Sequence, residues 1–196
     1  MRLVFFDIET GGLDPLRHPI TQIAAIAVDE HLNELETFEA KLDFDMATAD
    51  QEALRKNNFD RKVWDRESRP DMLVCSELSR FFKRYADVEM TSKAGKPYCV
   101  AQLIGHNADK FDGPFLQVWF KRLDQFMPAA FSVMCTYQRA MHHFHEHPNI
   151  ERPASLKLAD LCKCFGISLE NAHDALADCR ANVAVYRALL RDAATQ

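Results

Sequence analysis

The sequence predicts a mixed α/β domain: one sheet, part antiparallel and part parallel, covered by helices on both faces. Two patterns carry that expectation. Three β-rich runs follow one another from the N-terminus, and after them segments of helical periodicity alternate with further strands. Length supports it, since 196 residues allow one domain with a substantial core and leave little for a second.

The elements follow in order. Residues 2–8 form a short apolar run of β-forming residues, closed by Gly11 and Gly12, and read as a buried strand. Ile20 to Val28 is a second run of the same kind. Phe38, Ala40 and Leu42 then alternate with Thr37, Glu39 and Lys41, the period of two of a half-exposed edge strand. Val74, Leu78, Phe81, Phe82 and Tyr85 recur at spacings of three and four, which predicts a helix. Tyr98 to Ile104 reads as a fourth strand, and Leu116, Trp119, Phe120 and Leu123 as the next helix. A fifth strand is expected near Phe131 to Cys135. Leu158, Leu161, Cys162 and Phe165 make a short helix stopped by Gly166, and the last helix runs from about Asp174 to Arg191. Residues 43–70, 87–97 and 142–155 lack periodicity and read as loops or short helices around the mouth of a site.

Composition narrows the class. With 47% hydrophobic and 27% charged residues the chain has the balance of a soluble globular protein. It holds no apolar run long enough to span a membrane and begins without the pattern of a secretion signal. The six cysteines are scattered over mostly apolar patterns and are expected to be free thiols in a reducing cytoplasm. A net charge of −5 argues against tight binding along a long nucleic-acid footprint, but not against processing of a chain end.

Three segments carry chemistry. In the first, Asp7 and Glu9 interrupt an apolar strand, and side chains two apart on a strand share a face. Buried carboxylates need a partner, and a hard divalent cation suits an all-oxygen pair. The following Thr10-Gly11-Gly12 has little bulk and would let a ligand approach the backbone; an exposed acidic strand end with an ordinary glycine turn would look the same. In the second, His106 and Asn107 leave the fourth strand at the end where ligands bind in α/β sheets. Asp112 opens the next helix, where it could equally be a first-turn acid favoured by the helix dipole. In the third, His173 precedes the last helix and Asp178 lies within it; each could be a capping or solvated residue.

Taken together and in this order, Asp7-x-Glu9, His106-Asn107 with Phe111-Asp112, and His173-x-Ala-x-x-Asp178 resemble the DEDD exonuclease superfamily. The histidine five before the last aspartate matches its histidine subclass; the tyrosine subclass would need tyrosine where this chain has Asp174. The resemblance spans nearly the whole chain and implies an RNase H-like fold, a five-stranded mixed sheet with its first three strands antiparallel and helices on both faces. It implies one exonuclease domain over 1–196 that hydrolyses phosphodiester bonds from 3′ ends and releases 5′-mononucleotides. The cofactors would be two Mg²⁺ or Mn²⁺ ions, with Asp7, Glu9 and Asp178 on the first, Asp7 bridging to the second, Asp112 supporting both and His173 as general base. Thr10, Gly11, Gly12 and Leu13 would line the pocket of the terminal nucleotide, with Leu13 against its base, and His106 and Asn107 are carried as substrate-binding residues.

Two departures shape the substrate expectation. Gly11 stands where the family commonly has a threonine, and six positions rather than the more common five separate His106 from Asp112. The second motif resembles the TREX-type and exonuclease I branches, which tilts the expected partner to single-stranded DNA 3′ ends ahead of RNA. An RNA-trimming enzyme and a polymerase proofreading subunit remain alternatives. From another class, a catalytically silent nucleic-acid-binding module could use the same fold, but four convergent carboxylates have no evident use there. Relatives of this size commonly form homodimers, and no membrane partner is expected. The histidines His142, His143, His145 and His147 read as a solvated loop, and the basic residues from Arg55 to Arg69, diluted by Asp60, Asp65 and Glu67, as a solvated face.

Overall fold

The computed structural model describes residues 1–169 and 173–194. Its centre is a five-stranded sheet built from β1 (Leu3–Thr10), β2 (Ile20–Val28), β3 (Glu34–Lys41), β6 (Gln102–Gly105) and β7 (Met134–Cys135), in the order β3-β2-β1-β6-β7. β1, β2 and β3 form an antiparallel meander, and β6 and β7 add in parallel. The mixed sheet is the one expected.

Alternation along β1 sorts the two cores. Val4, Phe6 and Ile8 face α3 (Asp71–Arg84) and α4 (Asp112–Arg122), where Leu78, Phe81, Phe82, Leu116 and Phe120 pack against them. Leu3 and Phe5 face the other way, onto Ala175, Cys179, Val183 and Tyr186 of α7 (Ala175–Ala194). A third cluster joins the outer side of α7 to α5 (Thr136–Glu146) and α6 (Leu158–Cys164), through Val185, Leu189, Phe144 and Leu161. Helices thus cover both faces. No helix among the described residues is long and apolar enough to cross a membrane.

Several segments differ from the sequence expectation. The run Tyr98–Ile104 is not one strand. It breaks at Ala101, whose N–H donates to the Pro128 carbonyl. The first part is β5 (Pro97–Val100), paired with β4 (Val88–Thr91) in a separate hairpin, and only the second part enters the main sheet. Residues 87–97, expected as loops or short helices, supply most of that hairpin. The strand near Phe131–Cys135 shrinks to two residues, and Phe131 is 77% exposed. Residues 43–70, by contrast, hold short helices as expected: a 3-10 turn (Met46–Thr48), α1 (Gln51–Lys56) and α2 (Arg61–Glu67). The histidine tract is not a loop: His142, His143 and His145 lie on α5, where His143 is buried, and only His147 follows the helix.

Candidate active site

β1 outruns its parallel neighbour. Its pairing with β6 covers Leu3 to Phe5, whereas the pairing with β2 continues to Thr10. Asp7 and Glu9 stand in the stretch that β6 has left, above the carboxyl ends of two parallel strands. The alternation that buries Leu3 and Phe5 against α7 puts both carboxylates on that same face.

The turn out of β6 delivers the third acid. A Cβ on Gly105 would lie 2.4 Å from the Ala108 Cβ and 3.0 Å from the Phe6 carbonyl oxygen, so only glycine lets the chain turn this closely over β1. Asp112 follows as the first residue of α4, 5% exposed. Its Oδ1 accepts a hydrogen bond from the Ile8 N–H at 3.3 Å. The carboxylate therefore reaches across to β1 from the first turn of its own helix.

α7 supplies the rest. Asp178 lies in its first turn, and its Oδ2 accepts the N–H of His173 at 3.2 Å. His173 adopts a left-handed backbone, φ 68°, directly before the helix. Ligand atoms of Glu9, His173 and Asp178 all lie within 4.8 Å of one another, a group able to hold a metal ion.

The electrostatics describe one cluster. Burial, followed by the charges of Asp112, Glu9, Asp178 and Asp174, raises the pKa of Asp7 well above the ordinary carboxylate range. Burial and the charges of Asp178, Asp112 and Asp174 push Glu9 up to about 8. Burial pushes Asp112 up to about 7, and burial also raises Asp178. No lysine or arginine contributes to any of these shifts. Four carboxylates in a poorly solvated place, each disfavouring the charge of the others, fit a divalent cation as the missing counter-charge. Asp174 belongs to this cluster and escaped the sequence reading; its place beside His173, just ahead of a helix, was the available signal.

Beside the acids lies a cavity of about 550 Å³. Glu9, Thr10, Gly12 and Leu13 form one wall, Gln51, Glu52, Lys56 and Asn57 of α1 and its end form the other, and Phe111 borders it. Asn57 ties the walls together, its Nδ2 donating to the Thr10 carbonyl at 2.9 Å. The Thr10 hydroxyl donates to the Gly12 carbonyl at 2.7 Å and sets the turn. Gly12 is pressed against His18, whose ring carbon would lie 2.4 Å from a Cβ there. Leu13 is 81% exposed at the rim.

Of the expected substrate-binding residues, Thr10, Gly12 and Leu13 line this cavity, while Gly11, His106 and Asn107 do not. Gly11 is buried and bonded through its N–H to the Pro19 carbonyl. His106 packs edge-on to Tyr137, and burial lowers its pKa to about 4. Asn107 makes the exposed left-handed turn, φ 61°. α1 was not among the expected site residues, because helical periodicity over 43–70 is too short to show which side faces β1, and Phe111 stood in the second motif without a role of its own.

Residues 98–186 match the model of the RNase_T family, described as exonuclease. An oligoribonuclease of Corynebacterium efficiens is 29% identical over 123 residues, covering 63% of this chain and 54% of its own. Two solved structures align with 97% of the chain at a TM-score of 0.75: a zinc-bound E. coli exonuclease I complex with single-stranded DNA, 22% identical, and a moderately thermophilic exonuclease I from Methylocaldum szegediense, 24% identical. The chain spans 40% of the length of each of these two. The fold is thus shared with these exonuclease I structures, residues 98–186 are similar to the RNase_T exonuclease family, and the acidic cluster draws on all three motifs.

Proposed function

We propose that the chain is a 3′-to-5′ exonuclease domain that removes 5′-mononucleotides from single-stranded nucleic acid, with DNA the preferred substrate. The observation that carries this is the convergence of Asp7, Glu9, Asp112 and Asp178, all with raised pKa values, beside a cavity of nucleotide size that Glu9 lines. Two Mg²⁺ or Mn²⁺ ions held by these four acids would supply an activated water and stabilise the leaving oxygen. The terminal nucleoside enters between the β1 turn and α1, where Leu13 and Phe111 offer apolar faces and Lys56 a positive charge. His173, exposed beside Glu9 and Asp178, accepts the proton of the attacking water at a ring nitrogen and returns it to solvent. The bond from phosphorus to the 3′ oxygen of the preceding nucleotide breaks, leaving a new 3′-hydroxyl. Binding of single-stranded DNA by an exonuclease I of like fold supports the DNA preference.

The likeness to an oligoribonuclease favours a second reading, trimming of short RNA. One assay tests both. Single-stranded DNA and RNA of one sequence, labelled at the 5′ end, are incubated with Mg²⁺, with Mn²⁺ and with EDTA, beside an Asp178→Ala protein. A metal-dependent ladder shortened stepwise from the 3′ end and absent from the variant is the expected result, and the faster substrate decides the sugar. Intact oligonucleotides in every metal-containing lane would overturn the activity.

A further inference from the structure

Gln22 is a buried polar residue beside the acidic cluster to which neither the motifs nor the cavity gives a task. It is 2% exposed and lies directly opposite Glu9 in the pairing of β1 with β2. That register puts it on the sheet face covered by α7. Its Nε2 donates to Asp174 Oδ2 at 3.1 Å and to Glu39 Oε1 at 3.0 Å. A neutral amide suits this place: a carboxylate would add charge beside Glu9, Glu39 and Asp174, and an apolar side chain would take away the donor that both acids share.

Asp174 carries two further bonds. Its Oδ1 accepts the Ala177 N–H at 3.0 Å, which caps α7, and its backbone carbonyl accepts the Asp178 N–H at 2.9 Å. Capping alone does not explain an aspartate, since asparagine or serine caps a helix about as well. The charge even works against the cluster, because Asp174 raises the pKa of Asp7, Glu9 and Asp178. What aspartate has and asparagine lacks is a second acceptor oxygen on the side chain. One oxygen caps the helix and the other takes the Gln22 amide.

We propose that Gln22 is a positioning residue: through Asp174 it fixes the start of α7 against β2 and so holds His173 beside Glu9 and Asp178. The kinetic part of this proposal rests on the exonuclease reading above; the structural part does not. His173 sits one residue before the anchor with φ 68°, a backbone conformation that a residue with a side chain keeps only when its surroundings enforce it. The body of α7 is held independently by Ala175, Cys179 and Val183 in the sheet-facing core. Loss of the Gln22 amide should therefore loosen the first turn and His173 while the helix stays packed.

Gln22→Met, similar in length and unable to donate, tests this in metal-free protein labelled with ¹³C and ¹⁵N at histidine. The His173 ring signal, assigned by its absence from His173→Ala, should shift or broaden, while the signals of exposed His142 and His145 stay in place. In the oligonucleotide assay kcat should fall roughly ten- to a hundredfold, the range seen when residues that orient reactive groups are lost, with KM within about twofold. Gln22→Met added to His173→Ala should cost no further turnover. An unmoved His173 signal, or the same loss of turnover in the His173→Ala background, overturns the proposal. Should Gln22→Met fail to fold, Asp174→Asn keeps one oxygen for the cap and must disturb His173 in the same way. If the wild-type protein cleaves nothing, the function falls, while the ring signal still decides the positioning role.

Discussion

Asp112 shows how a side chain can oppose stability in the service of a site. It is buried, it accepts hydrogen bonds only from backbone N–H groups, those of Ile8 and Asp112 itself, and burial pushes its pKa up to about 7. Asparagine there keeps the acceptor and removes the charge. Asp112→Asn is therefore expected to raise the melting temperature of the metal-free protein at about pH 8, where the carboxyl is largely ionised. The same change should lower turnover by at least about a hundredfold, since an amide is a poor partner for a hard cation. Calorimetry in EDTA beside the oligonucleotide assay checks both; a variant less stable than wild type, or as active, contradicts the reading. Asp7 and Glu9 were legible in the sequence because carboxylates in an apolar strand are conspicuous. Asp112, Asp178 and His173 are ordinary helix-end residues one at a time, and only their common order made them visible. Asp174 offered only its place beside His173, and Gln22 was not legible at all. Nothing local marks a glutamine that meets an aspartate 152 positions later.

Elements were readable in proportion to the burial of one face. β1 and β2 are buried along nearly their whole length and came through as runs. α5 did not: Thr136–Glu146 buries only Thr136, Ala140, His143 and Phe144, and two of those four are polar. The β4–β5 hairpin escaped because Val88–Thr91 is largely exposed and only four residues long, too short for the alternation of Val88 and Met90 with Glu89 and Thr91 to stand out. The division of Tyr98–Ile104 depends on Ala101 pairing with Pro128, a contact between segments that no local pattern encodes. The tightest joint of the site also belongs at this scale. Gly105→Ala forces a Cβ into the Ala108 Cβ at 2.4 Å, and overpacking of this kind costs about 1–3 kcal/mol. The turn carrying Asp112 should shift, lowering both melting temperature and turnover. Adding Ala108→Gly removes the obstructing methyl and should restore part of both; a double variant no better than Gly105→Ala places the strain against the Phe6 carbonyl instead.

At the scale of the whole molecule the acidic cluster couples stability, pH and metal. A carboxyl whose pKa is higher in the folded than in the unfolded chain binds its proton better when folded. Its contribution is complete below the unfolded value of about 4 and is lost as pH rises through the folded value. Glu9 at about 8 and Asp112 at about 7, with Asp7 and Asp178 also raised, place part of that loss near and above neutrality. His106 acts in the opposite sense. Burial lowers its pKa to about 4, so its effect is complete once pH exceeds the unfolded imidazole value of about 6.5. Surface acids with lowered pKa values, such as Glu36 and Glu67, have also finished titrating by then. Between about pH 6.5 and about pH 8.5, protein in EDTA should therefore melt at progressively lower temperature. At the proposed metal site Mn²⁺ would bind the ionised carboxylates, replace their protons and add stability only to the folded chain. The rise in melting temperature on adding Mn²⁺ should accordingly be larger at the upper end of that range. Glu9→Gln removes one titrating group and should flatten both dependences. A melting temperature in EDTA that is level or rising over this range, or a Mn²⁺ effect independent of pH, would show that the four acids do not share one buried, cation-seeking site.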